Sequence, residues 1–356
     1  MTAITDQTTT SGSALDTLWY TRCPVPTASG LANSLGWLGA QAARSDLGFS
    51  ILQDAAPDIA AHHFDHALSG LIREGGNVPA IAARAAGSPT RLIGLTWIDE
   101  SQAILVGPDS SIGTAADLAG KRIGIPGWAA DQARSFPRAM ALHGFASALR
   151  LAGLTFADVD VRETAVNTDP QVRTDAADRI RSASSGVPEL LDGSVDAIYV
   201  KGARAAEVAV EHNLRVLVDL DRTESKRLRV NNGTPRPITV HADLLEQRPE
   251  VVVGFLAQSL RAADWAATNL DTVREVLARE TFSGPAGVAK AYGNEFHTSL
   301  HPSLSEERIE LIDIQKQFLY THGFLAHDFD VESWVAPEPL ALALAEVAAE
   351  RESGAR

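Results

Sequence analysis

The chain contains one cysteine, Cys23, and a thiol can serve as proton donor, nucleophile or metal ligand. It stands in Tyr20-Thr-Arg-Cys-Pro-Val-Pro26, where each X-Pro step pushes the preceding residue out of the α region. Cys23 and Val25 are therefore expected to be extended, on a stiff strand end or loop that holds the sulfur in one direction. The competing use is inert burial, since a free cysteine is also a small hydrophobe.

A second group of reactive types follows in Ala61-His-His-Phe-Asp-His-Ala-Leu-Ser-Gly-Leu-Ile-Arg-Glu-Gly-Gly76. His62 and His66 are four residues apart and could share a metal on a helix, but spacing places no third ligand, so no metal is expected. His63 or His66 could equally partner the thiol, or the segment could be a solvated loop. Arg73 with Glu74, Gly75 and Gly76 reads structurally as a helix C-terminus capped by glycine. Functionally, the paired glycines would expose backbone N–H groups beside a guanidinium, which suits an oxyanion.

The elements that must position these groups alternate. Thr17 to Tyr20, Arg91 to Trp97, Ala103 to Val106, Arg122 to Ile125, Ala197 to Val200 and Leu214 to Val218 read as strands, and Val78 to Ala86, Phe136 to Leu151 and Gly202 to His212 as helices. That order predicts an α/β architecture with largely parallel sheets. From about Pro237 the pattern turns helical, with Val251 to Asn269, Asp271 to Arg279, Ser305 to Gly323 and Pro339 to Glu350 as the clearest segments. Residues 1–14, rich in Thr and Ser, are expected to form a flexible tail.

Length and charge narrow the function classes. At 356 residues the chain suits about two domains with real cores. No apolar run approaches the roughly 20 residues of a membrane span. With 31 basic against 45 acidic residues the net charge is −14, which argues against nucleic-acid and anionic-membrane partners and requires local positive charge for any anionic ligand. No Walker loop or dinucleotide fingerprint is present, Gly120-x-x-x-Gly124 reading as a turn, so no cofactor is expected. A lone cysteine suits a reducing compartment, and the first residues lack the basic and apolar regions of an export signal, so a cytoplasmic protein is expected.

Several motifs together resemble one family: Tyr20-x-x-Cys-Pro-Val-Pro26, His63-Phe64, Arg73-x-Gly-Gly76 with Pro79, Asp117-Leu-Ala-Gly-x-Arg-Ile-Gly124, Gln315-x-Gln-Phe-Leu319 and Trp334-x-Ala-Pro-Glu338. In order and spacing they look like the 2'-hydroxybiphenyl-2-sulfinate desulfinases, from about residue 15 to 345. The resemblance implies a two-lobed type II periplasmic-binding-protein-like fold with a ligand cleft and a helical C-terminal region. Its first lobe would span residues 15–120 and 221–356 and its second lobe 121–220.

By the same resemblance Cys23 is the active-site cysteine, His63 the active-site histidine and Arg73 the sulfinate-binding arginine, with Gly76 beside it. Phe64 matches a pocket aromatic, Phe145 falls where the family carries a tryptophan, and Trp128 could add a further flat wall. His66 and Leu68 stand where the family has a tyrosine and a glutamine, which predicts a different polar wall. The implied activity is cofactor-free hydrolysis of an aromatic sulfinate by a monomer, with Cys23 as acid or nucleophile and Arg73, Gly75 and Gly76 around the oxygens. Two rivals stand beside it: a non-catalytic binding protein for an organosulfur anion, and a sulfonate- or sulfinate-responsive module of a larger complex.

Overall fold

The computed structural model describes residues 15–166 and 185–354, so the expected tail lies outside the described residues. Ten strands are described: β1 Thr17–Arg22, β2 Gly48–Ile51, β3 Leu71–Glu74, β4 Thr90–Thr96, β5 Ala103–Val106, β6 Arg122–Pro126, β7 Asp160–Thr164, β8 Ala197–Val200, β9 Arg215–Asp219 and β10 Arg236–His241. They form two five-stranded sheets, ordered β2-β1-β3-β10-β4 and β7-β6-β8-β5-β9.

The sheets are mixed rather than largely parallel. In the first, β1 runs parallel to β2 and β3, whereas β10 opposes both β3 and β4. In the second, β6 runs parallel to β7 and β8, whereas β5 opposes β8 and β9. Each sheet thus contains one antiparallel strand, and that strand is the first one the chain forms after crossing over. The changeover therefore lies between Thr96 and Ala103, ahead of β5, and not after Gly120 as the sequence suggested. A four-residue apolar run such as Ala-Ile-Leu-Val shows that a strand is buried but not which sheet buries it.

Two further expectations change. The Arg73 segment is strand β3 followed by the helix Asn77–Ala85, so Gly75 and Gly76 precede a helix instead of ending one. Pro237 lies inside β10, its missing N–H tolerated while its carbonyl accepts from Gly75 at 3.3 Å. Both strands hid because they carry buried charge: Arg73, Glu74 and Arg236 are all at most 2% exposed.

Cores form on both sheets. The helix Pro249–Ala266 starts on a proline, where a lost N–H costs little, and presents Val252, Phe255 and Leu256 to Leu18, Tyr20 and Ile72 of the first sheet. Tyr20 and Phe255 meet with ring centroids 5.7 Å apart, and truncating such a buried phenylalanine typically costs ~3–5 kcal/mol. On the second sheet the helix Phe136–Leu151 buries Phe145 and Ala148 against Ile104, Ile123 and Ile125. Where the chain crosses, Gln102 donates its N–H and Nε2 to Asp221, both at 3.2 Å, and accepts from the Tyr199 hydroxyl at 3.0 Å. These bonds satisfy buried polar groups at the lobe junction. Among the described residues no helix is long and apolar enough to cross a membrane.

Candidate functional site

Parallel pairing sets the site. Thr21 lies opposite Arg73 and Arg22 opposite Glu74, so β1 and β3 end together and deliver Cys23 beside Gly75 and Gly76. Their C-terminal ends open into a cleft of about 370 Å³ between the sheets, lined by Cys23, His63, Phe64, Arg73 and Gly76 on one side and Met140, Ala141, Tyr199 and Lys201 on the other. A crevice at the carboxyl ends of strands is where open α/β sheets place ligands.

One residue, Gly76, orders the chemistry. The Gly76 N–H donates to Cys23 Sγ at 3.1 Å, and the Gly76 carbonyl accepts from Arg73 Nη1 at 3.0 Å. The Cys23 N–H in turn donates to the Glu74 carbonyl at 3.1 Å. Thiol and guanidinium are therefore tied to opposite ends of the same residue. A side chain at either glycine would have to displace a neighbour. A Cβ at Gly75 would lie 2.7 Å from Arg73 Cζ, and one at Gly76 would lie 2.2 Å from Asn232 Oδ1. The expected pair of free N–H donors for an oxyanion is not available, because Gly75 donates to Pro237 and Gly76 to the sulfur.

His63 sits in a relay that selects its tautomer. Its Nε2 faces Arg73 Nη2 at 3.5 Å, and a guanidinium nitrogen can only donate, so Nε2 carries the lone pair. Nδ1 then carries the proton and donates to Thr21 Oγ1 at 2.9 Å. Gln53, which the sequence reading did not single out, also donates to Thr21 Oγ1 at 2.9 Å and to the Arg22 carbonyl at 2.7 Å. The ring is thus held with its acceptor nitrogen beside Arg73.

Charge in the cleft falls into two groups. Arg73, 1% exposed, has its pKa pulled down to about 10 by burial, with Cys23 opposing and Arg236 adding to the fall; it is still cationic at neutral pH. The second group is Glu100 with Arg236, in close contact, and Lys201 Nζ 3.5 Å from the same Glu100 Oε1. Burial works against the Arg236 charge, yet Glu100 foremost, then Cys23 and Glu74, hold its pKa above the usual value. Burial lowers Lys201 against the pull of Glu100. No spacing in the sequence could have gathered Glu100, Lys201 and Arg236, which come from three separate segments.

The residues expected at the site divide. Cys23, His63, Phe64, Arg73 and Gly76 line the cleft, with Phe64 edge-on to His63 at 5.1 Å and under the Arg134 guanidinium at 5.0 Å. Gly75 stands directly behind the Arg73 guanidinium. His66, Leu68, Phe145 and Trp128 do not line it. His66 takes a left-handed conformation (φ 57°) that ends the short helix His62–Asp65, and burial, then Arg73, holds its pKa well below the usual histidine value. Leu68 gives its carbonyl to the Leu71 N–H in the turn before β3. Phe145 is fully buried in the second core, and Trp128 is 41% exposed against Phe324 and Arg138. The changed polar wall is therefore not at His66 and Leu68. No cluster of metal-ligating side chains occurs among the described residues, and His62 pairs with Asp65 at 2.8 Å.

Comparison with known proteins places this geometry. The sequence model of a family described as NMT1/THI5 like matches residues 72–272, more than half of the chain. The 2'-hydroxybiphenyl-2-sulfinate desulfinases of Rhodococcus erythropolis and Rhodococcus qingshengii are each 28% identical over 352 residues, covering 91% of this chain and 92% of theirs. A cysteine-to-serine mutant of DSZB, solved in complex with biphenyl-2-sulfinic acid, matches with a TM-score of 0.73 and 25% identity over 93% of this chain and 99% of its own. The periplasmic aliphatic sulphonate binding protein SsuA from Escherichia coli matches with a TM-score of 0.64 and 17% identity over 90% and 92% of the two chains, which is likeness of fold. The expected two-lobed binding-protein fold and the resemblance to the desulfinases are both borne out.

Proposed function

This chain belongs to the NMT1/THI5-like family, and from that premise with its likeness to the desulfinases we propose that it hydrolyses an aromatic sulfinate to the arene and sulfite without a cofactor. Arg73 receives the sulfinate oxygens with its planar fork, a geometry a point charge cannot match. Phe64 and Met140 supply apolar walls for the ring.

Two routes use Cys23. In the first, the thiol gives its proton to the ipso carbon, the C–S bonding pair becomes the C–H bond, and sulfur dioxide is left beside a thiolate. Water then adds to the sulfur dioxide, giving bisulfite and returning a proton to Cys23. In the second, the thiolate attacks sulfur, the arene leaves with a proton from solvent or His63, and water cleaves the S–S bond to release sulfite. Both sum to sulfinate plus water giving arene plus bisulfite. His63 Nε2, held as an acceptor, takes the thiol proton in the second route.

The observation that carries this reading is the backbone of Gly76, whose N–H and carbonyl join Cys23 Sγ and Arg73 Nη1 at 3.1 and 3.0 Å. A sulfinate on Arg73 is thereby brought within reach of the sulfur. The reading places the protein in the cytoplasm, where a lone thiol stays reduced. The test is sulfite release from aryl sulfinates by the purified protein. Tight binding with no sulfite formed would instead favour a non-catalytic binding protein.

A further inference from the structure

A sulfinate held by Arg73 leaves the second charge group of the cleft without a task. The Glu100, Lys201 and Arg236 side chains are 6%, 5% and 2% exposed, yet all three line the cleft. Glu100 comes from the crossing between β4 and β5, Lys201 from the end of β8 and Arg236 from the start of β10, so both lobes and their junction contribute. Gly233, at φ 112°, keeps their space open. A Cβ there would lie 2.7 Å from Arg236 Nη2, 2.9 Å from Lys201 Nζ and 3.2 Å from Glu100 Oε1.

Such a cluster is poor stabilising material. Removing charges from water costs several kcal/mol per ion, and apolar residues in place of a buried ion pair are often as stable or more so. Glu100 is the one carboxylate among the described residues in ion-pair contact with Arg236 and Lys201; Glu74 and Asp221 act on them only from farther off, and Lys201 also donates to the Asn232 carbonyl. Tyr292, 1% exposed and within electrostatic reach of both Glu100 and Arg236, brings a hydroxyl to the same wall. Buried ionic groups that converge on a cleft are candidates for ligand contacts.

We infer that this end of the cleft receives a second anionic group of the substrate, which makes the substrate an aromatic sulfinate that also bears a carboxylate. A carboxylate would give Arg236 and Lys201 a second contacting anion beside the shared Glu100, and its two oxygens fit a guanidinium fork with an ammonium beside it. The inference rests on the desulfinase reading for the sulfinate end.

The experiment compares sulfite release from benzenesulfinate with that from meta- and para-carboxybenzenesulfinate, for the wild type, Lys201→Met and Tyr292→Phe, each checked by circular dichroism. The corresponding sulfonates, which are not cleaved, serve as calorimetric probes. The wild type is expected to prefer one carboxylated substrate by about 10-fold or more in kcat/KM, and Lys201→Met to bring that ratio within about 3-fold of unity. Tyr292→Phe, which leaves every charge in place, should lower the ratio by about 3- to 10-fold and carries the test if Lys201→Met does not fold. Sulfite from all substrates with no carboxylate preference overturns the inference and leaves the desulfinase standing. So does an equal loss on all substrates in the variants, which makes the cluster a brace between lobes. No sulfite from any substrate, with Lys201-dependent preference for a carboxybenzenesulfonate, sinks the desulfinase reading and keeps the second anion site.

Discussion

Arg73 and Arg236 are both nearly fully buried, stand on the adjacent antiparallel strands β3 and β10, and line one cleft, yet they are held in opposite ways. Arg236 has a carboxylate in close contact. Arg73 is held by a backbone carbonyl, with a histidine ring nitrogen at 3.5 Å, and burial draws its pKa down to about 10. The Arg236 charge already has a carboxylate of the fold in contact, so a ligand on that side meets an ion pair with Lys201 beside it. A guanidinium given only neutral partners in a cleft is set to be neutralised by a ligand, which at an effective dielectric near 20 gains about 4 kcal/mol from a unit charge ~4 Å away.

The sharpest way to break this contrast is at Arg73. Arg73→Ala should lower kcat/KM for an aryl sulfinate by about 10³ or more while the fold persists, because no buried carboxylate is left unpaired. Arg73→Lys should recover weak binding and little rate, since a lysine cannot grip two oxygens at once. Calorimetry beside sulfite release checks both, and near wild-type turnover by either variant would reduce Arg73 to a structural residue.

The reverse outcome is expected on the other side. Glu100→Gln should destabilise the protein by ~3–5 kcal/mol in urea unfolding, because it strands Arg236 and Lys201 in a dry site. A loss below ~1 kcal/mol would mean that water or chain movement already screens them.

Acid provides a third separation, since neither arginine changes charge between pH 4 and 7. His143 does change. Burial, opposed by a 2.6 Å hydrogen bond to Gln315, lowers its pKa to about 4. The unfolded chain then binds more protons than the folded one between about 6.5 and 4, so stability falls as pH drops through that window, by about 3 kcal/mol when complete. Urea unfolding at pH 7 and pH 4 should show a loss in the wild type that His143→Gln reduces by about 3 kcal/mol, the remainder coming from other buried histidines such as His66. Equal slopes would place the acid sensitivity elsewhere.

The smallest effect concerns spacing. Gly75→Ala puts a Cβ 2.7 Å from Arg73 Cζ and should cost ~1–3 kcal/mol of stability, with a fall in sulfinate affinity as the guanidinium shifts. Unchanged affinity would show that the fork has room to move.

Much of the frame was legible in the residues. The helix Phe136–Leu151 and the strands Ala103–Val106 and Ala197–Val200 have the bounds that their periodicity predicts. β3 and β10 were not legible, because Arg73, Glu74 and Arg236 look like solvated surface until pairing buries them. Within the cleft, Cys23, His63, Arg73 and Gly76 stood among the candidates of two local segments, and the resemblance to the desulfinases singled them out and added Phe64. Gln53, Glu100, Lys201, Asn232 and Arg236 were not readable, since sheet topology alone brings them together. His66 and Leu68 fall in the turn between the short helix His62–Asp65 and β3, and neither lines the cleft.

The central claim is that Cys23, hydrogen-bonded by Gly76 next to Arg73, performs the cleavage. Sulfite release by wild type and Cys23→Ser, with calorimetry of the same aryl sulfinate on the serine variant, tests it most directly. The serine variant should bind the sulfinate with a Kd near the wild-type KM and release no measurable sulfite, because a hydroxyl is both a weaker acid and a poorer nucleophile. Sulfite release by Cys23→Ser at a rate near the wild type would contradict the account.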